Sequence, residues 1–178
     1  VDTLLGPEMR STGEAMGSGA TFGEAYAKAQ LGCNNPLPTG GSAFLSVNDR
    51  DKHNLVPIAR DLADLGFALL ATGGTAAVLQ AAGLAVTPIY KVNEGRPNAV
   101  DYVKNGQVDL IVNTPLGKAS FFDEASIRRA AITYGVATLT TLSGAAAAVQ
   151  AIRATRDGGW TVQSLQERHA ATQDYDKS

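Results

Sequence analysis

From Ala43 to Arg156, short apolar runs alternate with helix-length segments, and this alternation limits the fold more than any other feature of the chain. Ala43–Val47, Phe67–Ala71, Leu84–Ile89, Leu110–Val112 and Val136–Leu139 are short and apolar enough to read as buried strands. Asp51–Leu65 carries Leu55, Ile58, Ala59 and Leu62 at helical spacing, and Gly66 closes it. Ala76–Ala82, the stretch from Pro97 to about Lys104, Asp123–Tyr134 and Ser143–Arg156 read as the other helices, with Pro97 placed in a first turn. Five strands separated by helices predict a three-layer α/β/α domain around a parallel sheet covered on both faces. Trp160–Val162 reads as a further short strand, and Ala171–Ser178 as a polar tail.

Two zones precede the alternating region. Residues 1–32 hold the Gly-rich stretch GPEMRSTGEAMGSG and then TFGEAYAKAQLG, a helix with Thr21 as N-cap and Glu24 three residues later in a capping-box pattern. Phe22, Ala25, Tyr26 and Ala29 fall on one face of it. This zone buries little by itself and reads as the end of something larger. Residues 33–42, CNNPLPTGGS, are punctuated by Pro36, Pro38, Gly40 and Gly41 and read as a linker.

Composition excludes several classes. A formal net charge of −2 argues against a basic groove for nucleic acid, while leaving room for a small anion held by a local cluster of donors. With Cys33 as the only cysteine, no internal disulfide forms. No apolar run is long enough to span a bilayer, and residues 1–15 lack the order of a secretory signal. A cytoplasmic, membrane-independent protein is the expectation. His53 and His169 stand apart, outside any metal-ligand spacing, so no metal site is expected.

In an open parallel sheet, ligands bind beyond the carboxyl ends of the strands. The residues there form a coherent set: Ser46, Asn48 and Lys52 after the first strand, Thr72-Gly73-Gly74-Thr75 after the second, Lys91, Asn93 and Glu94 after the third, Asn113 and Thr114 after the fourth, Thr140 and Thr141 after the fifth. Two glycines let a backbone approach an anion closely, and the helix behind them offers free N–H groups. The same turn also serves as an ordinary strand-to-helix connection with a threonine cap. Each lysine alone also reads as a solvated surface residue, but together Lys52 and Lys91 point to a phosphate. Asn113 suits a ribose hydroxyl or base edge, or else caps a helix. Glu94 and Asp101 read as solvated loop acids. No Walker lysine, GxGxxG motif or Ser-His-acid set is present, so no catalytic residue is assigned.

The motifs also resemble a known family. GPEMRSTGEAMG (Gly6–Gly17) is similar to the stretch closing the second ATP-grasp half of carbamoyl phosphate synthetase large subunits. LLATGGTA (Leu69–Ala76), YKVNEGRPN (Tyr90–Asn98), IVNTPLG (Ile111–Gly117), RRAAITYGV (Arg128–Val136) and TTLSG (Thr140–Gly144) resemble, in order, the C-terminal domain of the same family. The resemblance runs from Val1 to about His169. It implies an ATP-grasp tail at 1–32, a linker at 33–42, a methylglyoxal-synthase-like regulatory domain at 43–170 and a tail at 171–178. It further implies an effector site for UMP as inhibitor and IMP as activator, serving pyrimidine and arginine biosynthesis. Lys52, Thr72, Thr75 and Lys91 match its phosphate contacts, with Gly73 and Gly74 between the threonines and Ser46 close by. Asn113 matches a ribose contact, with Thr114 beside it, and Thr140 matches a contact to ornithine. The family's next ribose contact is a threonine, here Pro115. By the same resemblance the parent enzyme is an ATP-dependent, glutamine-hydrolysing ligase that uses ATP, Mg or Mn, and K. Its implied partners are the rest of the large subunit and the glutaminase small subunit, with a homo-oligomer also in view. Neither ATP-grasp active site falls within these residues, so no cofactor is assigned to this chain.

The principal alternative is a methylglyoxal synthase-type lyase acting on dihydroxyacetone phosphate, which shares the implied fold and phosphate pocket. Its catalytic aspartate would fall about where Arg96 stands, and a second family aspartate is Thr114 here. Both departures remove a positioned base. A structural or oligomerisation module without a ligand is the third reading.

Overall fold

A computed structural model describes residues 15–114, 121–158, 161–164 and 166–169. The elements follow in the order α1 (Phe22–Gly32), β1 (Ser42–Ser46), α2 (Lys52–Asp64), β2 (Ala68–Thr72), α3 (Gly73–Ala81), β3 (Val86–Ile89), α4 (Ala99–Lys104), β4 (Leu110–Asn113), α5 (Phe121–Tyr134), β5 (Ala137–Leu139) and α6 (Leu142–Asp157). All strand pairings are parallel, and the sheet order is β3-β2-β1-β4-β5. The chain steps outward from central β1 through β2 to β3, then returns through α4 to β4 on the other side of β1. The β1–β4 boundary is therefore the topological switch point, where the crevice of such a sheet opens.

Alternation along the strands divides the interior into two cores. Ala43, Leu45, Leu69, Ala71, Leu110 and Val112 pack with Leu55, Ile58, Ala59 and Leu62 of α2, with α3 and with α6. Phe44, Leu70, Ile89 and Ile111 pack on the opposite face with α4 and α5. The four inward residues expected for α2 are its four buried ones. Among the described residues no helix is long and apolar enough to cross a membrane.

Several boundaries differ from expectation for local reasons. The third strand begins at Val86, because α3 ends with Leu84 N–H donating to the Leu79 carbonyl (3.1 Å) around Gly83 at φ +83°, which commits Leu84 to the helix exit. Pro97 precedes α4 instead of entering it. Asn98 is the N-cap: its side-chain oxygen accepts from Val100 and Asp101 N–H, while the Asp101 carboxylate accepts from Asn98 N–H at 3.0 Å. Thr161–Ser164 form no strand; Trp160 lies outside the described residues, as do the tail expected at 171–178 and most of the Gly-rich stretch before α1.

The first helix is capped by Thr21, whose hydroxyl accepts from Glu24 N–H (3.3 Å), although the Glu24 carboxylate reaches one residue further back, to Ala20 N–H (2.8 Å). Its buried residues are Gly23 and Ala27, while of the face formed by Phe22, Ala25, Tyr26 and Ala29 the first is exposed and the others are half-buried. The reason is proximity: a Cβ on Gly23 would stand 2.7 Å from the Gln150 carbonyl oxygen of α6. Small residues occupy the crossing, and Phe22 and Tyr26 flank it with ring centroids 5.9 Å apart.

Candidate anion-binding site

Strand alternation turns Ser46, Thr72 and Asn113 to the same side as Phe44, Leu70 and Ile111, at the carboxyl edge of three adjacent strands. Ser46 and Asn113 are register partners across the switch point. The Ser46 and Thr72 hydroxyl oxygens lie 3.2 Å apart, both buried.

Helix α3 begins directly at Gly73, so both glycines lie in its first turn and not in a separate loop. Thr72 is the N-cap residue, yet its side chain makes no capping hydrogen bond. Thr75 is also drawn away, its hydroxyl oxygen accepting from Val47 N–H at 3.4 Å. The side-chain cap expected of a threonine at this turn is therefore absent. A helix start leaves up to four N–H groups to be satisfied from outside, with the positive end of the dipole beside them. Gly73 faces open space, with nothing within 4 Å of a notional Cβ.

Gly74 has a different job. A Cβ there would stand 2.8 Å from the Lys52 ammonium. The glycine thus lets Lys52, from the first turn of α2, lie against the start of α3. Lys52 Nζ also meets the Asp49 carboxylate at 2.6 Å. Lys52, and to a smaller degree Lys91, hold the Asp49 carboxyl below its ordinary range. The fields of two lysines from separate crossovers overlap at one carboxylate. Lys91 itself is half exposed, 3.6 Å from the Glu94 carboxylate, which also accepts from Lys91 N–H at 3.0 Å.

The loop bearing Lys91 is tied down by Asn98. This buried amide donates to the Val92 and Gly95 carbonyls (3.4 and 3.1 Å) while it caps α4. Asp101 is likewise committed to that cap and to Arg96 (3.7 Å), and is not a solvated acid. Thr114 has a bracing role, its hydroxyl accepting from Asn48 N–H (3.1 Å) and Asn48 side-chain N–H (3.2 Å), which fixes the β1–α2 loop. Asn48 in turn donates to Asp51 at 2.6 Å.

Asn113 stands out by what it lacks. Its side-chain oxygen is buried and has no hydrogen-bond partner among the described residues. A buried acceptor left unpaired costs about 1–3 kcal/mol, so Asn113 calls for a donor that the described residues do not supply. The structure thus assembles Ser46, Lys52, Thr72, Gly73, Gly74, Thr75 and Asn113 at one edge, while the Lys91 ammonium, on the loop after β3, lies by Glu94. Thr140 does not join them: it is exposed beyond edge strand β5, with β4 between it and β1. Pro115 lies outside the described residues. Sequence reasoning passes over Asp49 and Asn98. An acid three residues before Lys52, and the Asn98-x-x-Asp101 capping pattern, are the available signals. Among the described residues, no group of three His, Cys, Asp or Glu side chains gathers as metal ligands would.

Comparison with known proteins agrees with this geometry. Residues 54–140 match the family model described as an MGS-like domain. The chain is 53% identical over 170 residues to the carbamoyl phosphate synthase large chain of Acidobacterium capsulatum, covering 96% of this chain and 16% of that protein. It is 51% identical over 170 residues to the carbamoyl phosphate synthase large chain, C-terminal section, of Methanopyrus kandleri, covering 95% of this chain and 31% of that protein. This chain therefore spans about one sixth of the large chains it matches. In structure it resembles methylglyoxal synthase from Elizabethkingia anophelis, with a TM-score of 0.52 at 18% identity over 64% of this chain and 79% of that one, a likeness of fold. The chain belongs to the MGS-like domain family, in the form carried by carbamoyl phosphate synthase large chains.

Proposed function

We propose that this domain is the effector-binding module of a carbamoyl phosphate synthase large chain, and that the pocket takes the phosphate of a nucleoside monophosphate, UMP or IMP. The observation that carries the reading is the uncapped start of α3, with Thr72 turned to Ser46 and Lys52 laid against Gly74. A phosphate monoester dianion supplies acceptors for the backbone N–H groups and a counter-charge for Lys52 and Lys91. Asn113, with its unpaired acceptor, is suited to a ribose hydroxyl. Thr140 is a separate candidate contact, for ornithine.

The lyase alternative gains nothing from the geometry. Arg96 is 80% exposed and leans on Asp101, and the Thr114 hydroxyl is occupied by Asn48. Neither position presents a base. By kinship the parent protein is proposed to be the ATP-dependent ligase that makes carbamoyl phosphate, with the rest of the large chain and a glutaminase small subunit as partners. Nucleotide binding would then bias the contact between this domain and the adjoining large-chain region through differential affinity for two states.

Titration calorimetry of the folded chain with UMP and IMP tests the pocket. Saturable binding of at least one nucleotide, weakened about tenfold or more by Lys52→Ala with Lys91→Ala, is expected. No heat from either nucleotide would leave the domain as a structural module.

A further inference from the structure

The Lys52 ammonium already has an anionic partner. Asp49, three residues before Lys52, places its carboxylate 2.6 Å from the Lys52 ammonium. Its side chain is 92% exposed. Asp51, the other acid of this loop, is committed to Asn48 through two hydrogen bonds, 2.6 and 3.0 Å long. For Asp49 the Lys52 pair is the sole ion pair or hydrogen bond found among the described residues. An exposed ion pair of this kind contributes little to stability and opens readily. Asp49 therefore has no evident structural task, yet it neutralises the lysine best placed to meet a ligand at the start of α3.

Taking the pocket as the phosphate site proposed above, we infer that Asp49 is its resident counter-ion and sets how strongly an anion must bind to enter. An incoming phosphate and the Asp49 carboxylate seek the same ammonium, and two anions on one lysine repel each other. A phosphate dianion that also gains the α3 backbone donors outcompetes the carboxylate. A singly charged phosphodiester, with one fewer charge and fewer acceptors, does not. Asp49 thus acts as a selectivity residue, raising the threshold against weak anions. That both lysines depress the Asp49 carboxyl is consistent with its lying in their shared field.

The test compares the full 178-residue chain with its Asp49→Asn, Lys52→Ala and double variants, titrated with UMP, inorganic phosphate and dimethyl phosphate at constant low salt. The Asp49→Asn substitution keeps the side-chain shape and removes the charge. UMP and phosphate are expected to bind Asp49→Asn about three- to tenfold more tightly than the parent chain. Dimethyl phosphate should gain proportionally more, so that discrimination against it falls. In the Lys52→Ala background the benefit of Asp49→Asn should shrink by at least half. Tight UMP binding by the parent chain with no gain in Asp49→Asn would overturn the role of Asp49 and leave the pocket assignment standing. Absence of UMP and phosphate binding in every variant would overturn both. Because Asp49 is exposed and lies outside helix and strand, a folded Asp49→Asn variant is expected, and its circular dichroism and urea midpoint should match the parent chain.

Discussion

Ser46 and Thr72, at the ends of neighbouring strands, put their hydroxyl oxygens 3.2 Å apart, and through that contact a threonine in the N-cap position of α3 leaves its helix uncapped. Local propensity asks the Thr72 hydroxyl to turn inward on its own helix. Tertiary packing gives it to β1 instead. Ser46→Ala should therefore cost about 0.5–1.5 kcal/mol through the lost buried hydrogen bond. It should also free Thr72 to cap α3, weakening UMP binding beyond what loss of one hydroxyl explains. Urea denaturation and calorimetry on the same sample check the two effects.

Asn113 offers a sharper separation of stability from function. Its side-chain oxygen is buried and unpaired among the described residues, so an apolar residue of similar shape should relieve a penalty. Asn113→Leu is expected to leave stability unchanged or raise it by about 1 kcal/mol, while reducing nucleotide affinity. A substantially destabilised Asn113→Leu protein would mean that the amide has a structural task.

The two glycines of α3 should respond differently to alanine. At Gly73 nothing crowds a methyl group, and helix propensity favours alanine by up to about 1 kcal/mol. Gly73→Ala should fold at least as well as the parent and bind phosphate more weakly. At Gly74 the methyl would meet the Lys52 ammonium. Gly74→Ala should push that side chain outward, and the salt dependence of UMP binding should fall along with the affinity.

The carboxyl of Asp49 is held below its ordinary value first by its hydrogen bond and ion pair with Lys52, then by Lys91. A depressed folded-state value means that the interaction contributes above the unfolded carboxyl pKa and is lost as pH falls through the folded one. In an NMR titration the Asp49 carboxyl should ionise below about 3.9, the unperturbed aspartate value. Lys52→Ala should raise it most of the way back, and Lys91→Ala by less.

Much of the fold is legible in the sequence because its causes are local or periodic. The inward set of α2 is readable from spacing alone, since Leu55, Ile58, Ala59 and Leu62 repeat with the helix. Helix starts are harder. The onset of α3 at Gly73 hides behind two poor helix formers, and that of α4 hides behind Pro97, which draws attention from Asn98. The buried face of α1 is not legible from spacing, because a close crossing with α6 selects the small residues Gly23 and Ala27. At the site, strand-edge logic gathers Ser46, Lys52, Thr72, Thr75 and Asn113 without coordinates. The partnership of Asp49 with Lys52 is visible as spacing, but its meaning needs the position of Gly74, contributed by a different crossover.

The contact of α1 with α6 has a mechanical corollary. With glycine at position 23 the two helices approach so closely that any side chain there would meet the Gln150 carbonyl. Helix α6 starts just past the end of β5 and buries Ala145, Ala148, Val149 and Ile152 in the core shared with α2 and α3. A bulky side chain at position 23 would therefore force α1 away from α6, a change felt far from Lys52 and Thr72.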